Sequence, residues 1–408
     1  MIKPIFKLPV IFKIIFLLWI VVQIGILCIY WDMPNHDDAY RYEQLAKGCI
    51  AENTWYPGSH NMHDLFIFGP AHVNLLIVIH SLFDSFYPIR FINLILNILL
   101  VIEIFILARR IFNEKTAYLS AILYMLIYSN VFVPIAILTD LPYVFLSLTA
   151  LLLCTEKKIL PIVIAGVLIA LANWFRPLAV VFLVTILFYF VIKKRKPVYY
   201  AALLFPLMLT VVLIGENAKS RTGHFIYQSV TGGVNLAMCC FDDANGLVNL
   251  SGFYDSTNYI CLKPDTYTFI ERDRLLKDAS IKWIKENPKK YAVQLPVKLL
   301  ALYCEDTWSE RVKPDMGFRV VLSKAKEDRG FLTELIITLV LKSLVYYVIL
   351  FFFFYYLWKN RRNLFRWKNV FLLIPLLGTA ITLIFAITSR YHYPYLFMIT
   401  IYAAAGYD

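Results

Sequence analysis

"WDMPNHDDAYRYEQLAKG", residues 31–48, follows the apolar run 8–30 and sets two carboxylates, Asp37 and Asp38, a few residues beyond it. About 20 apolar residues cross a bilayer, and residues 8–30 have that length. Lys3 and Lys7 precede the run, so the positive-inside rule places the N-terminus in the cytoplasm and residue 31 outside. The loop 31–89 agrees. It holds two basic residues, Arg41 and Lys47, against seven acids. The stretch therefore predicts an integral membrane protein with paired acids at the outer mouth of its first helix.

Composition points the same way. The chain of 408 residues is 60% hydrophobic and 17% charged, with a mean hydropathy of +0.65. Soluble domains are about 45–50% apolar and about 25% charged. The net charge of +12 does not indicate nucleic acid. The basic residues come in bursts between apolar runs, such as Lys193, Lys194, Arg195 and Lys196, which is the pattern of cytoplasmic loops.

Continuing along the chain, spans are expected at 91–108, 116–134, 138–154, 159–173, 177–192, 198–215, 332–358, 369–388 and 393–406. With the first run they make about ten. "GPAHVNLLIVIHSLF" (69–83) is too short to span and reads as an interfacial helix. The fold class is all-α, a membrane bundle with interfacial helices in its first external loop. Three parts follow: an N-terminal membrane core 1–215 containing the loop 31–89, an external segment 216–331, and C-terminal membrane helices 332–408. The external segment balances 17 basic against 15 acidic residues. Its "TFIERDRLLKDASIKWIKENP" has helical apolar spacing and a proline stop. Cys239, Cys240, Cys261 and Cys304 fall there without metal-site spacing, and either one disulfide or free buried thiols fits.

The candidate functional residues collect on the external side. Asp37 and Asp38 follow span one. Asp140, in "ILTDLPYVF", lies at the outer end of spans three and four, and Arg176 lies in "NWFRP". Arg390, Tyr391 and His392 lie in "SRYHYP", and His72 lies in the first loop. Ionisable groups beside apolar sequence are costly and often mark a site. Each has a plainer reading: Asp38 and Asp140 as helix caps, Arg176 and Arg390 as headgroup contacts. Together, arginines suit a phosphate through charge-assisted hydrogen bonds, and a carboxylate suits removal of a hydroxyl proton.

These residues resemble the GT-C superfamily of polytopic glycosyltransferases, which includes protein O-mannosyltransferases and aminoarabinose transferases. Asp37-Asp38, Tyr40 or Tyr42, and Ala46 fill the family's first-loop pattern. Asp140 in "TDLPY" matches its second acid, and "RYHYPYLF" (390–397) is similar to its late Arg-Tyr-x-x-Pro stretch. The chain departs in carrying Asp-Asp rather than Asp-Glu, and "FIFG" before Pro70 where some members carry an acid and a lysine. The resemblance implies inverting transfer of a sugar from a polyprenyl-phosphate donor to a glycan, lipid or protein acceptor. The site would lie on the extracytoplasmic face of a multi-pass plasma (inner) membrane, in contact with membrane lipid. It implies Asp37 as general base, with the division between Asp37 and Asp38 open. Arg176 and Arg390 would bind the donor phosphate, with Tyr391, His392 and His72 beside them. Asp38 and Asp140 would orient the acceptor or hold a divalent cation; no cofactor is required by the sequence. The rival readings are a lipid-linked glycan polymerase or ligase, a flippase, and a structural scaffold.

Overall fold

The computed structural model describes the chain except residues 1–8, 65, 257, 263–265, 309–322, 325 and 364–365. Among the described residues it is helical, and the β-structure consists of two isolated bridges, Ile67 with Val230 and Leu247 with Ile387. The helices are α1 (Val10–Ile29), α2 (Asp37–Ala51), α3 (Pro70–Phe83), α4 (Pro88–Ile111), α5 (Glu114–Leu126), α6 (Tyr128–Phe132), α7 (Asp140–Cys154), α8 (Ile159–Phe175) and α9 (Val180–Ile192). They continue as α10 (Pro197–Thr222), α11 (Gly232–Ala237), α12 (Phe269–Glu286), α13 (Pro288–Tyr303), α14 (Arg329–Lys342), α15 (Leu344–Lys359), α16 (Leu373–Thr382) and α17 (Tyr393–Tyr407).

A helix underlies every stretch expected to span. By length and composition, however, α1, α4 and α10 are long and apolar enough to cross a membrane. The number rises to five if two bent pairs each count once: α5 with residues 128–135, bent by 68°, and α14 with α15, bent by 54°. The remaining apolar helices are shorter, so the count of about ten is not carried by helix length. The outer surface is what a bilayer would solvate. Val10, Ile11 and Leu17 of α1 and Phe205 and Leu213 of α10 are exposed, a liability in water and a matched face in lipid.

Two cores divide the interior. The larger runs through α4, α5, α7, α8, α9, α15 and α17. Helix α17 is its axis: it packs on α15 and α5, and Tyr393, Tyr395, Tyr402 and Phe397 are wholly buried. The second joins α2, α3, the segment 226–241 and α12. The helix expected in 268–288 is α12. Thr268 and Glu271 form a capping box at its start, and Asn287-Pro288 ends it. Helix α10 stops at Gly223, whose φ of +75° is left-handed backbone that glycine adopts without cost. All seven cysteines are unbridged; Cys239 and Cys240 are buried thiols, while Cys261 is partly exposed and Cys304 exposed.

Candidate active site

Four helix ends meet where the two cores adjoin. Asp38 is in the first turn of α2, and Asp140 begins α7. Arg176 follows the last residue of α8, and Arg390 lies in the 3-10 turn Ser389–His392 that leads into α17. Each acid sits at a helix N-terminus and Arg176 at a C-terminus, the placements the helix dipole favours.

The side chains form one ionic chain. Asp140 is fully buried. Its Oδ1 accepts from Arg176 Nη1. Its Oδ2 accepts from Arg390 Nε at 2.8 Å, with Arg390 Nη2 at 2.6 Å. Arg390 Nη1 then donates to Asp38 Oδ2 at 2.7 Å. The order is Asp38, Arg390, Asp140, Arg176, and its formal charge is zero. A buried carboxylate is tolerated only when paired and hydrogen-bonded, and two guanidinium groups satisfy Asp140 on both oxygens. The chain has a wet end and a dry end. The Asp38 side chain is 48% exposed and that of Asp140 is 0% exposed.

Asp37 stands beside this chain, exposed, with φ at +47°. That left-handed conformation is strained for a residue other than glycine, and such strain concentrates at functional sites. Tyr391 lies under Arg176, whose guanidinium carbon is 5.6 Å from the ring centre. Burial raises the Tyr391 phenol. It also pushes Tyr42 up to about 12, so Tyr42 stays protonated beside Asp38. His72 is buried in the first turn of α3, edge-on to Tyr42 with ring centres 4.9 Å apart. Burial lowers it to about 4, with the Ile137 carbonyl opposing the shift, so at neutral pH it is an uncharged wall of the site. Gly69 lets the start of α3 approach the end of α8. A Cβ there would overlap the Phe175 carbonyl oxygen, one residue from Arg176.

Seven of the eight residues singled out in the sequence thus gather here. The eighth, His392, faces away. Its Nε2 is 3.0 Å from Asp306 Oδ1 and its Nδ1 is 2.9 Å from the Leu302 carbonyl, both within the protein interior. It ties the end of α13 to the turn bearing Arg390. The capping readings of Asp38 and Asp140 are not realised: both Asp140 oxygens and Asp38 Oδ2 accept from arginine, and His36 and Thr139 stand at the cap positions without side-chain caps.

Sequence reasoning passed over Asp306, Lys298 and Arg90. Lys298 is fully buried, donating to Cys239 Sγ at 3.4 Å and to the Leu383 carbonyl at 3.2 Å. The signal for Arg90 was present in "IRFINLILN": a polar stripe, Arg90, Asn93 and Asn97, on an otherwise apolar helix. Among the described residues no three His, Cys, Asp or Glu side chains group as metal ligands. The guanidinium of Arg390 sits between Asp38 and Asp140, where a bridging cation would have to displace it. As arranged, the residues do not fit a resident metal ion; they present arginine.

Residues 69–215 match the family model described as dolichyl-phosphate-mannose-protein mannosyltransferase. In fold, the chain is similar to the Archaeoglobus fulgidus oligosaccharyltransferase in its apo form, with a TM-score of 0.53 at 12% identity, over 97% of this chain and 50% of that one. The chain shares the fold of that oligosaccharyltransferase. Similarity extends to ArnT from Cupriavidus metallidurans in the apo state, with a TM-score of 0.48 at 13% identity, over 96% of this chain and 59% of that enzyme. The chain spans about half the length of the oligosaccharyltransferase. No curated protein sequence matches it.

Proposed function

We propose that this chain is an inverting glycosyltransferase of the GT-C type that moves a sugar from a polyprenyl-phosphate donor to an acceptor hydroxyl. The site would lie on the outer face of the plasma (inner) membrane. The observation that carries the proposal is the chain Asp38–Arg390–Asp140–Arg176 with Asp37 exposed beside it. Its matched family is described by a polyprenyl-phosphate-linked sugar, dolichyl-phosphate-mannose.

Asp37 is exposed at the start of α2, next in the chain to Asp38, and is assigned the role of base. It takes the acceptor's hydroxyl proton as that oxygen attacks the anomeric carbon. The bond from that carbon to the phosphate oxygen breaks on the opposite side, through an oxocarbenium-like transition state. Its electron pair leaves with the polyprenyl phosphate, and the glycoside carries inverted configuration. Arg390 and Arg176 stabilise the charge that develops on the departing phosphate. The neutral chain makes room for that anion at its wet end. The phosphate takes the Arg390 donor that Asp38 now occupies, while buried Asp140 keeps both guanidinium groups in place.

The test uses the full chain in nanodiscs with a panel of polyprenyl-phosphate sugars and glycan, lipid and peptide acceptors. Mass spectrometry would follow free polyprenyl phosphate and the anomeric configuration of the product. Acceptor-dependent release with inversion supports the proposal. A retained configuration, or release that survives Asp37→Asn at the wild-type rate, overturns it.

A further inference from the structure

Arg90 is 0% exposed, on the third residue of α4, and its five side-chain hydrogen bonds to described residues all go to carbonyl or amide oxygens. An arginine side chain has five N–H donors in a rigid planar fork. All five are used. Nη1 donates to the Tyr30 carbonyl at 2.8 Å and to the Trp31 carbonyl. Nη2 donates to the Met33 carbonyl at 2.7 Å and to Asn35 Oδ1 at 3.2 Å. Nε donates to the Ile135 carbonyl at 3.0 Å.

Four of these acceptors lie on the segment that leaves α1 and delivers Asp37 and Asp38. The fifth closes the 3-10 turn Val133–Ile135, shortly before Asp140. One planar group therefore spans both acid-bearing segments. Its charge is compensated by the carbonyl end of α1, where the helix dipole is negative, and through Asn35, whose Nδ2 donates to Glu43 Oε2 at 2.9 Å. Asn93, one turn further along α4, grips only the second segment, through the Pro134 and Ala136 carbonyls at 3.4 and 3.1 Å.

We infer that Arg90 is a positioning residue that sets the spacing between the Asp37–Asp38 segment and the Asp140 segment. It touches neither substrate nor the ionic chain. Arginine is required rather than any cation, because lysine has three donors on a flexible stem and cannot reach five fixed acceptors on two segments.

The experiment is hydrogen–deuterium exchange of the full chain in nanodiscs, on wild type, Arg90→Lys, Asn35→Leu and Asn93→Leu. In Arg90→Lys, exchange rises in both 30–40 and 133–140, with the rest of the chain unchanged. Asn35→Leu raises only the first segment and Asn93→Leu only the second. The inference rests on the transferase reading for its activity arm alone: there, Arg90→Lys lowers kcat at least about tenfold with donor KM little changed, because the base is displaced while the arginines stay on Asp140. A rise in one segment only, or across the whole chain, overturns the bridging role, and does so even if the wild type turns over no donor. A rise in both segments with kcat unchanged overturns the positioning role. If Arg90→Lys does not fold, Asn35→Leu and Asn93→Leu decide: exchange confined as stated supports the inference, and exchange spreading from either variant into both segments sinks it.

Discussion

Asp140 and Arg390 lie 250 residues apart in the chain and 2.8 Å apart in the fold. Together with Arg176 they make a buried salt bridge in which one carboxylate serves two guanidinium groups. Breaking such a pair from one side costs more than the pair itself contributes, because the remaining charges stay buried. Asp140→Ala strands Arg176 and leaves Arg390 with Asp38 alone. The expected loss is about 3–5 kcal/mol. Asp140→Asn, which still accepts hydrogen bonds, loses less. Melting of the purified variants in one detergent checks the order; equal stability of Asp140→Ala and wild type would refute the structural role.

Asp37 and Asp38 are neighbours with opposite expected effects. Asp37→Asn removes the assigned base and lowers kcat by about 100-fold or more, with donor binding unchanged. Asp38→Asn removes the group that competes with the donor phosphate for Arg390. Polyprenyl phosphate should then bind more tightly than to wild type. Titration of each variant with polyprenyl phosphate, read by native mass spectrometry, separates the two; weaker binding to Asp38→Asn would contradict the exchange of partners.

Gly69→Ala places a methyl group against the Phe175 carbonyl. Backbone cannot move aside as a side-chain tip can, so α3 and the end of α8 must separate. Overpacking of this kind costs about 1–3 kcal/mol. Activity should fall further than stability alone explains, since Arg176 moves with Phe175. Kinetics at a temperature well below the melting transition would show it; full activity there would mean Arg176 had not moved.

His72 supplies a pH dependence. Burial holds its folded-state value at about 4, below the usual 6.5. The unfolded chain therefore binds the proton first as pH falls. Stability is complete above about pH 6.5, declines through the window down to about 4, and levels below it. A shift of this size corresponds to about 3 kcal/mol. His72→Phe, which keeps the aromatic contact with Tyr42, should flatten the melting profile between pH 6.5 and 4. An unchanged slope would show that other groups govern acid stability.

The features readable from the sequence share a physical basis. Runs of apolar residues report on their surroundings locally, and so do capping signals, so the helices, the Thr268 capping box and the stop at Asn287-Pro288 were legible. The acids and arginines were visible as charges that apolar surroundings would penalise. Their partners were not. A carboxylate beside a helix start has the same local sequence whether it caps that helix or, like Asp38, pairs with an arginine 352 residues away. His392, grouped in the sequence with Arg390 and Tyr391, turns to Asp306 because successive residues of a tight turn face different directions.

By itself the sequence determined that the chain is a helical membrane protein with acids and arginines at the ends of its helices, because hydrophobic periodicity and charge placement act within a few residues. Only the tertiary structure decided which acid meets which arginine, that Asp38 pairs with Arg390, and that Arg90 binds two segments at once. Those outcomes depend on donors and acceptors brought together from helices far apart in the chain, and hydrogen-bond distance is a property of the fold.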